Sequence, residues 1–413
     1  MKSRLLPLLC CFFISYNIVA QEQPKFGIDF SGFVKTDLMW DSRQTVSIRE
    51  GHFLLFPANE VLDPNGKDIN AVSNFNMLSI QSRLTGKITG PDALGARTSG
   101  LLEGEFFGTT DGDISGFRLR HAYVKLNWES AQLLVGQTWH PLFITNCYPD
   151  VVSFNTGAPF QPFSRNPQVA FTQKINKISL TFTATSQRDF VSTGPDGPSS
   201  KYLRNAGMAA WNIKVEYFTE NKEKGTAFQA GLSGNSQILK PRITTPSGFK
   251  TDNSFASSIG MAYVKVKLPD VTIKAMGVIG QDTYNLTMLG GYAVETIDPI
   301  TLEEDYTPLN TVSAWTDIHT NGTEWQFGLF AGYSKNNGTS DDASGNYFAR
   351  TTNIDHLYRI SPRVIYNSGK FRIAPEMEYT VAAFGTQNLG DGTVTDTNNI
   401  GNFRFLVGIY YFF

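Results

Sequence analysis

The sequence predicts an all-β fold: a transmembrane antiparallel β-barrel of about sixteen strands, with one loop folded inward to constrict the lumen. Three observations carry this. The stretch Asn402–Phe413, reading NFRFLVGIYYFF, alternates with a period of two. Segments that alternate in the same way recur from residue 27 onward. The links between them are tight and long by turns, as in barrels with short turns on one rim and long loops on the other.

In the last stretch, Phe403, Phe405, Val407, Ile409, Tyr411 and Phe413 share one face, and Asn402, Arg404, Leu406, Gly408, Tyr410 and Phe412 the other. On the edge of a soluble sheet such an apolar face would invite aggregation. Facing lipid, it is a closing strand. Tyr411 and Phe413 are then the expected signal to the barrel-assembly machinery.

The opposite end reads as a secretory signal peptide over residues 1–20. Lys2 and Arg4 precede the apolar run Leu5–Ile14, and cleavage is expected near Ala20. Cys10 and Cys11 leave with it, so Cys147 has no internal disulfide partner. Residues 21–413 form one barrel domain. Removing Lys2 and Arg4 leaves 33 basic against 37 acidic residues, net −4, which is no footprint for nucleic acid. No further window offers about 18 consecutive apolar residues, so no transmembrane helix is expected. The 31 Phe and 16 Tyr suit aromatic girdles at the two membrane surfaces. The expected location is the bacterial outer membrane, with the lipid bilayer and lipopolysaccharide as partners.

Taken in order, the expected strands are 27–41, 75–90, 97–110, 115–128, 131–139, 167–175, 177–187, 205–219, 224–237, 253–268, 270–283, 308–319, 323–335, 352–367, 370–384 and 400–413. Tight turns fall at Glu129-Ser130, Asn176, Pro269, Asn321-Gly322 and Ser368-Gly369. Long links fall at 42–74, 140–166, 188–204, 238–252, 284–307, 336–351 and 385–399. An even strand number places both termini on the periplasmic side.

Alternation assigns the faces. Lys35 and Asp37 point inward from the first strand, opposite Val34, Leu38 and Trp40. In the second, Arg83 points inward and Leu78, Ile80, Leu84 and Ile88 outward. Glu103 and Glu105 point inward from the third. In the fourth, Arg118 and Arg120 oppose Phe117, Leu119 and Tyr123. Arg359, Arg363, Arg372, Glu376 and Glu378 complete the inner set. A lipid-facing Arg at mid-bilayer costs roughly 2–4 kcal/mol, so these charges require a water-facing interior.

Loop 140–166 is rich in Phe and Pro and too apolar to stand free in water. It is expected to fold into the lumen, where Asp150, Asn155 and Arg165 would face Arg83, Arg118 and Arg120. Catalytic motifs are missing. The five His show no metal-ligand spacing and neither HExxH nor GxSxG occurs, so no enzyme, metal or cofactor is expected. His140 with Ser153 is the nearest approach to a nucleophile pair. Asp111-Gly112-Asp113 lacks the later Glu of a calcium loop and reads as a polar turn.

The run FRLRHAYVKLNWESAQLLVGQTWHPLF, residues 117–143, resembles the fourth and fifth strands of DcaP-like trimeric outer-membrane porins. Arg120, Ala122, Tyr123 and Val124, then Gly136, Gln137, Thr138 and Trp139, carry the likeness, and Gly32–Asp41 resembles that family's first strand. His140 stands where the family has Ser, and the family's N-terminal coiled coil is not found before the first strand. The resemblance implies a homotrimeric porin with an Arg-rich eyelet that favours small anions. Function is then expected to be passive diffusion of small hydrophilic solutes, anionic ones among them. Two alternatives are a sugar- or nutrient-specific channel with an aromatic track, and a closed structural or adhesive barrel whose loops 42–74 and 284–307 bind a partner.

Overall fold

The computed structural model describes residues 26–413; the expected signal peptide lies outside them. Sixteen staves close into one antiparallel barrel. They are β1 (Gly27–Asp41), β2 (Asn74–Leu78, resuming as Arg83–Thr89), β3 (Arg97–Glu105), β4 (Arg118–Asn127), β5 (Ala131–Trp139), β6 (Arg165–Ile175), β7 (Ile178–Thr185) and β8 (Ala210–Asn221). Then follow β9 (Thr226–Leu239), β10 (Phe255–Lys267), β11 (Val271–Gln281), β12 (Glu304–Thr320), β13 (Trp325–Thr339), β14 (Ile354–Ser368), β15 (Phe371–Gln387) and β16 (Val394–Phe412). The barrel shuts where β1 meets β16, in register from Phe33 opposite Phe412 to Asp41 opposite Arg404. Closure leaves no unpaired strand edge in the bilayer.

Each expected strand is present. The main boundary differences have local causes. Residues Lys201–Asn205 form a short helix, α1, so β8 starts later than its pattern. The last strand begins at Val394 because its outer end pairs with the extension of β15 (Thr386 opposite Thr395).

The faces follow the alternation with two corrections. The backbone turns at Ser79–Ser82, where Ser82 N–H donates to the Ser79 carbonyl. Phe75 and Met77 therefore face lipid, and Leu78 and Ile80 pack inward instead of outward. In β4 a register shift opposite Glu103/Gly104 puts Arg120 and His121 inside consecutively. Tyr123 consequently lines the interior, and Val124 takes the lipid side.

The lumen is filled from above by three segments. Loop 140–164 lies inside as expected, with Leu142, Phe154, Phe160 and Phe163 buried. The link 42–73 also turns inward: Thr45–Ile48 and Phe53–Pro57 form a hairpin whose second strand is wholly buried. Segment 282–290 follows, with the Phe163 N–H donating to the Leu286 carbonyl. The core thus sits within the barrel, between these segments and inward residues such as Ile259, Met276, Trp315, Phe330 and Leu357. The two loops expected to reach outward for a partner each lose an apolar stretch to this core. What remains outside includes strands Gly291–Ile297 and Tyr347–Ala349, which pair with each other.

Candidate functional site

Below loop 140–164, towards the tight turns, the interior opens into three chambers of about 500, 430 and 330 Å³. Neighbouring chambers share lining residues around the loop. The first and third share Glu103, His121, Trp139, Phe143 and Thr145. The second and third share Tyr148 and Val151. The residues expected to line the channel fall into three groups around them.

The first group is an arginine cluster on β2–β6. Glu105 accepts from Arg83 Nη2 (3.1 Å), Arg118 Nη2 (3.0 Å) and Arg120 Nη1 (2.6 Å), with Arg165 Nη1 at 3.6 Å. Arg120 Nε donates to Glu103 at 2.8 Å. Asp189 accepts from Arg118 Nη1 (2.9 Å) and Arg165 Nε (2.8 Å). Arg165 and Arg120 also lie over Trp139, at 5.0 and 5.6 Å from its ring. Arg83 and Arg120 reach the third chamber; Arg118 and Arg165 do not line any of the three. The Arg-rich eyelet that the resemblance implies is therefore a largely compensated cluster, four arginines against Glu103, Glu105 and Asp189. Asp189, its missing partner, comes from a long loop with no periodic signal.

The second group faces it across the lumen. Asp150, on the loop, accepts from Lys274 Nζ at 2.7 Å and approaches His319 Nε2 at 3.2 Å. His319 Nδ1 lies 3.1 Å from Asp317, which takes both Arg363 Nη atoms at 2.8 and 2.9 Å. Asp150 is thus held by β11 and β12, on the other side of the lumen from Arg83, Arg118 and Arg120. Asp150, Asp317 and His319 are close enough to one another to hold a metal. Lys274 and Arg363 already compensate the charge of Asp150 and Asp317, so the set does not favour a cation.

The third group is hidden under the inward segments. Lys35 and Asp37 pair at 3.0 Å, and Asp37 hydrogen-bonds His52 of the hairpin at 2.8 Å. Lys35 Nζ also donates to the Val152 carbonyl. Glu376 accepts the Val152 and Ser153 N–H groups, and Asn155 Nδ2 donates to Glu378. Arg359 donates to the carbonyls of Leu54, Leu55 and Ala158. Lys35, Asp37 and Arg359 therefore anchor loops instead of meeting solute, because the 45–57 hairpin and loop 140–164 cover them. Asn155 is likewise an anchor.

His140 and Ser153 are not brought into a hydrogen bond: His140 Nδ1 accepts from Leu142 N–H, and Ser153 Oγ has no partner. Asp111–Asp113 is a 3₁₀ turn whose Asp111 carboxylate accepts the Arg49 N–H.

Further cations line the chambers. Lys125 and Lys214 enter the first chamber with Gln132, Thr138, Gln168 and Thr181; Lys267 and Arg372 enter the second. Among the described residues none of these four cations forms an ion pair. Lys267 and Arg372 are visible as inward positions of their strands. Lys125 is not, since the β4 register shift moves it inside.

No family model and no curated relative matches the chain. Solved structures do. The outer membrane channel DcaP of Acinetobacter baumannii superposes with a TM-score of 0.69, at 16% identity over 94% of this chain and 97% of that one. OmpT of Vibrio cholerae gives 0.54 at 11% identity, covering 94% and 97%. OprB of Pseudomonas putida gives 0.52 at 10% identity, covering 94% of each chain. The chain thus has the sixteen-stranded porin fold and is similar in architecture to DcaP.

Proposed function

We propose that the chain is an outer-membrane porin, a passive channel for small hydrophilic solutes that favours anions. The carrying observation is the charge around the chambers. Seven basic side chains line them (Arg83, Arg120, Lys125, Lys214, Lys267, Arg363 and Arg372) against three acidic ones (Glu103, Asp150 and Glu216). Basic groups in a narrow, low-dielectric passage concentrate anions there. The selective charges are the unpaired Lys125, Lys214, Lys267 and Arg372, since the Arg118–Arg165 cluster is compensated by Glu105 and Asp189.

The sugar-track alternative has less support, since two of the rings that line the chambers are each stacked on a neighbouring ring. Phe143 stacks on Trp139 at 3.8 Å and Phe154 on Phe107 at 4.1 Å. Catalysis has no support in the His140–Ser153 geometry. The remaining parts of this reading are cleavage near Ala20, insertion by the barrel-assembly machinery, contact with lipid and lipopolysaccharide, and a homotrimer.

The test is single-channel recording in planar bilayers under a salt gradient. The reversal potential should show anion preference. Lys125→Glu combined with Lys267→Glu should reduce that preference severalfold or invert it, with barrel content unchanged. Equal permeability before and after the double substitution would sink the lysine assignment.

A further inference from the structure

The hairpin formed by Thr45–Ile48 and Phe53–Pro57 is the feature that the channel reading does not use. Its sequence FLLFP is buried along its whole length, although it belongs to the link between two barrel strands. It forms a two-stranded sheet of its own, separate from the barrel sheet. It can therefore leave the lumen without breaking a barrel ladder.

Its position matters more. The ceiling of the third chamber includes Phe154 and Phe163. Phe53 packs on both of these rings, at 5.8 and 5.0 Å, and on Phe190 at 6.0 Å. On the near wall His52 meets Phe107 and Asp37. From β14, three staves from β1 across the seam, Arg359 holds the Leu54 and Leu55 carbonyls. The hairpin thus lies against the β1–β3 and β14–β16 side of the lumen, above the third chamber, and an apolar layer of this kind excludes water and ions.

Its tip is fastened by few groups. Arg49 donates its N–H to Asp111 and its Nε to the Gly108 carbonyl. Arg49, Glu50 and Gly51 follow one another at φ of 57°, 49° and 90°. Two successive non-glycine residues in the left-handed region are unfavourable unless their surroundings hold them.

We propose that this hairpin is the movable part of an internal gate: seated as here it completes, with loop 140–164 and segment 282–290, the closure of the outer half of the lumen, and its withdrawal opens a path from the third chamber to the exterior. This rests on the chain being a channel. The test uses the full-length protein in planar bilayers, with residues 45–57 replaced by a short Gly-Ser linker and, separately, with Arg49→Ala plus Arg359→Gln. Folding is checked by heat-modifiable migration on a gel. The replacement should raise the mean current per inserted protein at least fivefold. The double substitution should raise the opening frequency while keeping the open conductance of the replacement.

The outcomes separate the two readings. If the wild-type protein and both variants conduct equally, the hairpin is no gate, though the channel stands. If the folded replacement conducts nothing, the channel reading itself falls. If the replacement does not fold, an unchanged opening frequency in the double variant overturns the gate.

Discussion

Asp41 and Arg404 face each other across the barrel seam, both buried, joined at 2.9 and 2.6 Å. Arg404 was legible as an inward residue of the last strand, and Asp41 sits at the end of the first. Their pairing follows only from closure, which alternation alone does not specify. Removing one partner of a buried pair leaves an uncompensated charge, at roughly 3–5 kcal/mol. Arg404→Ala should therefore lower the temperature at which the heat-modifiable band converts, and a wild-type midpoint would refute the seam's importance. A second residue sets a pH dependence. Burial pushes the Asp282 carboxyl, beyond the end of β11, up to about 7 from its ordinary 3.8. Its Oδ1 has no hydrogen-bond partner. Because the folded state prefers the protonated acid, the penalty is absent below about pH 4 and grows as pH rises towards 7. Asp282→Asn stays neutral throughout. It should be the more stable form at pH 8, by on the order of 2–4 kcal/mol, and equal to wild type near pH 4. Parallel unfolding curves for the two proteins across that range would contradict this.

Elements were legible to very different degrees. Loop 140–164 announced its inward course because Phe and Pro without alternation have no place in a mobile external loop. The 45–57 hairpin carries a similar run, but it is short and lies amid polar turn signals, so its residues read as part of a long exterior link. The register shift in β4 had no signal either. A bulge is set by the neighbouring strand, and it moved Tyr123 and Lys125 inside against the simple alternation. The inward loop also shows what holds it. Glu376 accepts two N–H groups from its tip, from Val152 at 2.6 Å and Ser153 at 3.3 Å. A hydrogen bond of this kind contributes about 0.5–1.5 kcal/mol net. Glu376→Ala should free the tip and raise open-channel current noise without changing the barrel's circular dichroism. Noise at the wild-type level would place the anchoring elsewhere, on Lys274 or Lys35.

At the scale of the whole molecule the barrel is uneven. The staves β3 to β7 have 9, 10, 9, 11 and 8 residues, whereas β12 to β16 have 17, 15, 15, 17 and 19. A membrane-spanning strand needs about 9–11 residues, so the low wall only just crosses the bilayer. It nevertheless exposes Leu102, Phe106, Phe117 and Leu119 near its upper rim. These four side chains form one apolar patch on the low wall, which a second copy of the same wall would bury. We propose this wall as the contact face between copies of the chain. The strand count and closure were legible from alternation, but this asymmetry was not, because lengths emerge only when partners fix where each ladder stops. Cysteine placed at Leu119 should form a disulfide-linked dimer on mild oxidation in native membranes. Cysteine at Leu329, on the lipid face of the tall wall, should not. Cross-linking at Leu329 alone would put the contact on the opposite side of the barrel, and cross-linking at neither would leave the chain a monomer.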